Sequence, residues 1–323
     1  MHCVADACQT ISLRRQRRSL LLALAVFVAA VAATGFASAR VAGATPGGGV
    51  VPGPTTRLEP VVARRNTASV RDVIYADYAP GLEVLDIWPA ANSDSPIVIL
   101  VHGGGWYEYD KSSLDPEAKY LNSQGFSVFN IDYRLATETS TAFPMEVEDV
   151  ELATRWALKR AREYNGNVED VVLIGASAGG QLVGLAAEEM DAVSRNTVNA
   201  VATLSAPTDF VSLAQDQDAG KLSPTIIGDA FIALGCNLSA CTDALETQWS
   251  PAKQVTTSNC PRSWLIINSE SELVPIDQLT SMTSALKHHQ CKVKRDILRG
   301  KLHAMDYWNT VKTTVAAFVK AAA

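Results

Sequence analysis

The segment Val171–Gly180, Val-Val-Leu-Ile-Gly-Ala-Ser-Ala-Gly-Gly, constrains the chain more than any other. An apolar, β-branched run ends in a turn of very small residues, and a helix-forming stretch, Gln181–Met190, follows at once. Strand, sharp turn and helix is the geometry that a G-x-S-x-G pattern requires, with the serine held at a strained tip. Gly175 and Gly179, two residues to either side of Ser177, stand where the turn leaves no room for a side chain. The decapeptide therefore offers the Ser177 hydroxyl as a nucleophile and asks the rest of the chain for its partners.

The surrounding pattern fits such a frame. Val70–Tyr78 and Leu82–Trp88 alternate and flank the turn Ala79-Pro80-Gly81, which predicts an antiparallel hairpin. Ile97–Val101, Phe126–Ile131, Val171–Gly175, Ala200–Ser205, Trp264–Asn268 and Val293–Leu298 are shorter and more continuously apolar than these first two strand-like runs, the pattern of strands buried on both faces. Helical segments Leu114–Ser123, Glu146–Tyr164, Gly180–Met190, Ile276–His289 and the stretch from Ala304 onward separate the later strands. Alternation of this kind predicts an α/β class fold over residues 70–323: one domain with a mostly parallel eight-stranded sheet between helices. The rhythm breaks at 209–250, which shows few regular features. An insertion at the carboxyl end of strand six lies where binding loops gather, so it reads as a cap or lid over the site, or else as a surface elaboration.

Residues 1–69 stand apart. Arg14, Arg15, Arg17 and Arg18 precede an apolar run from Ser19, and Ala37-Ser38-Ala39 offers a cleavage site, so 1–39 reads as a secretory signal. The same run is long enough to remain as a membrane anchor if it is not cut, the only membrane association expected. Residues 40–69, rich in Gly, Pro, Ala and Thr, read as a flexible linker. A net charge of −6 with no basic stretch outside the N-terminus excludes nucleic acid as an electrostatic partner. Four cysteines follow the signal, and export to an oxidising compartment favours two bridges over four free thiols. Of three pairings, Cys236–Cys241 with Cys260–Cys291 is preferred, the second pair preceding two strands that would be neighbours.

A serine hydroxyl needs a base to take its proton and donors to hold the oxyanion it creates. Val101-His102-Gly103-Gly104-Gly105-Trp106 follows the third strand, and its glycines leave backbone N–H groups free to turn toward a ligand. The N–H groups of Gly104, Gly105 and Ala178 are the expected oxyanion donors. His102 is expected to hold the loop, while Trp106, Tyr107 and Tyr109 either line a substrate pocket or simply pack. Of the five histidines, His303 lies in the loop after the last strand, where the base belongs. The acid is expected after strand seven, within Ser269-Glu270-Ser271-Glu272-Leu273-Val274-Pro275.

With these motifs the chain resembles the carboxylesterase group of the α/β-hydrolases. That group includes hormone-sensitive-lipase-like, kynurenine-formamidase-like and feruloyl- or acetyl-xylan-esterase-like enzymes. Further marks are Leu85–Pro89, Asp132-Tyr133-Arg134-Leu135-Ala136, Phe143-Pro144 and Trp249-Ser250-Pro251. The resemblance implies an exported serine hydrolase of carboxylic esters, small or polysaccharide-linked, working through an acyl-enzyme and needing no metal or organic cofactor. It implies Ser177 as nucleophile and His303 as general base and acid. One departure stands out. The group reads D-x-x-V-P after strand seven, and the aspartate position is Ser271 here. Glu272 is the expected substitute, with Glu270 beside it and Asp209, after strand six, as a third choice. Without any such carboxylate the fold would serve as a binding or receptor module instead.

Overall fold

In the computed structural model, residues 69–78, 82–137, 139–141, 143–190 and 197–323 are described below, all within the unit Val62–Ala323. The expected signal at 1–39, the linker up to residue 68 and the turn Ala79-Pro80-Gly81 lie outside them.

The strands are β1 (Val70–Ile74), β2 (Val84–Trp88), β3 (Ser95–Val101), β4 (Ser127–Ile131), β5 (Gly166–Ala176), β6 (Val198–Leu204), β7 (Ser263–Ser269) and β8 (Lys292–Leu298). They form one sheet in the order β1-β2-β4-β3-β5-β6-β7-β8. β2 runs antiparallel to β1, as the hairpin pattern predicts, and also to β4, and every pairing from β4 onward is parallel.

Ile97–Val101 of β3 and Val171–Ile174 of β5 are apolar without interruption because both of their faces are covered, whereas β8, expected to be covered on both faces as well, is an edge strand with much of its surface exposed. Ile97, Ile99 and Val101 enter one core layer and Val98 and Leu100 the other; Val171 and Leu173 separate from Val172 and Ile174 in the same way. Each such side chain, fully removed from water, contributes about 1.5–3 kcal/mol. Helices α1 (Asp115–Ser123) and α9 (Trp308–Ala322) cover one face; α2 (Met145–Arg160), α3 (Ala178–Glu189) and α8 (Ile276–His288) cover the other. The motif Asp132-Tyr133-Arg134 fastens β4 to its surroundings. Arg134 grips the buried Asp149 of α2 with contacts of 2.6–3.0 Å, and Asp132 accepts the Lys111 N–H at 2.5 Å.

The stretch 209–250 is more regular than expected. It forms α4 (Phe210–Asp218), α5 (Pro224–Leu234) and α6 (Asp243–Gln248), with α7 (Pro251–Gln254) following. The reason is local capping. Asp209, Ser223 and Thr242 each accept an N–H three residues on, Pro224 occupies the first turn of α5, and Gly235 closes α5 in a left-handed conformation. These helices are short, so their caps rather than an apolar period betray them. The disulfides are Cys236–Cys241 and Cys260–Cys291, the pairing preferred from sequence.

The fold delivers chemistry to one end of the sheet. β3, β5, β6, β7 and β8 are successive neighbours, and their carboxyl ends lead into the glycine loop, Ser177, Ser205, Glu272 and His303 respectively. Loops at the carboxyl ends of parallel strands are where such sheets bind ligands.

Candidate active site

Ser177 occupies the tip between β5 and α3 with φ 51° and ψ −120°, a conformation that costs a non-glycine residue about 1–3 kcal/mol. Its neighbours hold it there. The Ser177 N–H donates to Leu204 O at 2.7 Å, and its carbonyl accepts from Gly180 N–H at 2.9 Å. A Cβ at Gly175 would lie 2.2 Å from the Gly179 carbonyl oxygen, and one at Gly179 would lie 2.2 Å from the His102 carbonyl oxygen. The two glycines thus let the elbow close on itself and let α3 abut the glycine loop.

That loop is held from below. Tyr133 donates its hydroxyl to the carbonyls of His102 and Gly103, 3.1 Å each, and its ring stacks on His102 with centroids 4.3 Å apart. His102 Nδ1 lies 2.7 Å from Gly103 O, and burial holds the imidazole down at about 4, so it is neutral and structural. Gly104 and Gly105 adopt φ of 103° and 55°. The Gly104 carbonyl points into the loop, accepting the N–H groups of Tyr107 and Glu108 at 3.1 and 2.9 Å. Among the described residues the N–H groups of Gly104 and Gly105 meet no protein acceptor.

His303 lies between serine and carboxylate. Its Nε2 is 2.9 Å from Ser177 Oγ and its Nδ1 is 2.5 Å from Glu272 Oε2. With the carboxylate at Nδ1, the proton of the neutral ring sits on Nδ1 and Nε2 is left to accept from the hydroxyl. The Glu272 side chain is fully buried, and its Oε1 accepts from Ser269 N–H and Ser205 Oγ–H, both at 2.8 Å. The other two acids are elsewhere. Glu270 is exposed, and Asp209 caps α4 while its carboxylate takes Ser281 Oγ–H at 2.5 Å and Lys253 Nζ at 2.9 Å.

Trp106 takes the second of the two roles open to it. Its ring is buried against Phe210 and Trp249, and its indole N–H donates to Gln181 Oε1 at 3.0 Å, so it packs beneath the loop instead of lining an open pocket. Buried indole nitrogen needs such a partner, and Gln181 is anchored in turn on Trp249 O. Tyr107 reaches outward, donating to Asp229 Oδ1 of α5 at 3.2 Å. Asp229 crowds Gly105, where a Cβ would be 2.8 Å from its Cγ, and burial raises its carboxyl above the usual range. Ser205, Gln181, Asp229 and Tyr307 carried no sequence signal: each is a lone polar residue whose significance depends on a distant partner.

The family model BD-FAE matches residues 85–286, well over half of the chain. The chain belongs to the BD-FAE family. Within this BD-FAE chain, a 157-residue stretch is 31% identical to carboxylesterase NlhH of Mycobacterium tuberculosis, covering 45% of the chain and 47% of that protein. A 106-residue stretch is 32% identical to human hormone-sensitive lipase, covering 32% of the chain and 10% of that protein. The chain thus spans about half or less of the length of these curated relatives. The fold is close to esterase B from Lactobacillus rhamnosis (TM-score 0.65, 20% identity, 79% of this chain and 85% of that one). A truncated carbohydrate esterase from gut microbiota is equally similar (TM-score 0.65, 19% identity, 80% and 98%). The fold is that of the α/β-hydrolases.

Proposed function

We propose that this BD-FAE family member is a serine hydrolase of carboxylic esters that works through an acyl-enzyme. The observation that carries the reading is the continuous relay Ser177 Oγ, His303 Nε2, His303 Nδ1, Glu272 Oε2, with separations of 2.9 and 2.5 Å at its two hydrogen bonds. His303 takes the Ser177 proton as the hydroxyl oxygen attacks the ester carbonyl carbon. The resulting oxyanion is held by the N–H groups of Gly104, Gly105 and Ala178. His303 then passes its proton to the leaving alcohol, the tetrahedral intermediate collapses, and water repeats the sequence to release the acid. Glu272 fixes the imidazole tautomer and stabilises the imidazolium, the role the sequence left open at Ser271.

The substrate proposed is a carboxylic ester, free or carried on a polysaccharide; the likeness to a carbohydrate esterase supports the second class. Asp229, pressed against Gly105, supports the reading of 209–250 as a cap over the site. Two disulfides support an exported chain, and no described helix is long and apolar enough to cross a membrane.

The test is a panel of p-nitrophenyl esters with fluorophosphonate labelling. Hydrolysis well above a Ser177→Ala control, with label on Ser177, is expected. No difference from that control and no label at Ser177 would refute the reading.

A further inference from the structure

Glu272 stands one residue past the aspartate position and is one methylene longer, so it has an extra torsion to fix and a different point of departure from β7. The donors on its far oxygen fix it. Oε1 accepts from Ser269 N–H, on its own loop, and from Ser205 Oγ–H, which projects from the neighbouring strand end. The second donor is unusual in what else it holds. Ser205 Oγ also accepts the N–H of Ala304, the residue after His303, at 2.8 Å, and lies 2.8 Å from the Tyr307 hydroxyl. Tyr307 in turn donates to Ile267 O at 3.0 Å.

The proton count is complete. The one Ser205 proton goes to the carboxylate, which has none to give, and Ser205 Oγ accepts the Ala304 N–H, while the single Tyr307 proton is shared between Ile267 O and Ser205 Oγ. One fully buried hydroxyl therefore joins the acid to the backbone of the base. Backbone conformation points the same way. Ser205 and Ala304 have φ of 54° and 47°, a region that L-residues avoid, and the hydrogen bond between them joins two such residues.

We propose that Ser205 is a positioning residue for hydrolysis, acting through Glu272 and His303, with Tyr307 seated behind it. The inference rests on the ester-hydrolase reading above. It touches neither substrate nor the reacting atoms; it sets the distance and angle at which the carboxylate meets Nδ1.

The experiment is a double-mutant cycle on p-nitrophenyl ester hydrolysis. Ser205→Ala is expected to lower kcat about 10- to 100-fold with KM within about twofold, and to slow fluorophosphonate labelling in parallel. In a Glu272→Gln background the same change is expected to cost less than about threefold, because Ser205 has lost the group it orients. Ser205→Gly serves if Ser205→Ala does not fold: it removes the hydroxyl while relieving the positive φ. A low-field proton resonance from His303 Nδ1–H, present in the wild type, is expected to shift or broaden in both variants. Wild-type kcat in Ser205→Ala or Ser205→Gly overturns the proposal, and so does an equal loss in both backgrounds, which is the mark of a merely structural role. Absence of turnover and labelling in the wild type itself defeats the esterase reading instead, so the two failures are distinguishable.

Discussion

His303 Nδ1 lies 2.5 Å from Glu272 Oε2, and the acid that makes this contact is one position beyond Ser271, where the related pattern has aspartate. A one-residue displacement is absorbed by one added methylene, because the loop after β7 brings Glu272 inward with its side chain fully buried.

Glu272→Gln is expected to reduce kcat by about 10³- to 10⁴-fold, since a neutral amide neither stabilises the imidazolium nor enforces the tautomer. Glu270→Gln, at an exposed position, is expected to stay within about threefold of wild type. Steady-state kinetics on one p-nitrophenyl ester compares the two, and a reversed order would move the acid to Glu270.

The glycine loop has its own test. A Cβ at Gly104 would lie 2.1 Å from the Glu108 carbonyl oxygen, on a backbone with φ 103°. Gly104→Ala must therefore move the loop and misdirect its N–H groups. A fall in kcat of about 10²- to 10³-fold is expected, with a lowered melting temperature measured in parallel. An active, fully stable variant would remove Gly104 from the oxyanion site.

Buried His102 links the loop to pH. Folded His102 takes up a proton only near 4, whereas in the unfolded chain it does so near its ordinary value of 6.5. Between these values the unfolded state binds the extra proton, so stability falls as pH drops through that window and is unaffected above it. The loss amounts to about 3 kcal/mol at pH 4, at 1.36 kcal/mol for each pH step. Urea unfolding at pH 7 and pH 4.5 is expected to show a smaller difference in His102→Gln than in the wild type; equal differences would contradict the burial argument.

Removing the disulfides should separate by loop length. Cys260–Cys291 closes a sequence separation of 31 and Cys236–Cys241 one of 5. Chain entropy then assigns the first about 3–4 kcal/mol and the second about 2 kcal/mol. Paired Cys→Ser variants followed by urea denaturation give the ranking directly.

Much of this is legible in the amino-acid sequence. The strands of the central sheet announce themselves because both faces are buried, which leaves a continuous apolar run, and Ser177 and His303 sit at loop positions fixed by strand order. What periodicity missed was short or relational. The helices of the insertion are too brief to show an apolar period and are specified by Asp209, Ser223 and Thr242 at their caps. Trp106 looks like a pocket residue by type, yet a buried glutamine from α3 turns its indole inward. The choice between Glu270 and Glu272 depended on the path of one loop, and Ser205 is ordinary until Glu272, Ala304 and Tyr307 surround it.

The Cys260–Cys291 bridge joins the chain just ahead of β7 to the chain just ahead of β8, at the end of the sheet opposite Glu272 and His303. β8 is an edge strand with much of its surface open to water, the kind of element that opens by local fluctuation and exchanges its amide protons early. The loop carrying His303 leaves from its far end. A covalent tether at the near end limits how far that edge can part from β7. The bridge therefore guards the register between Glu272 and His303 from the opposite pole of the sheet, and its reduction would show as faster amide exchange in β8 before any global unfolding.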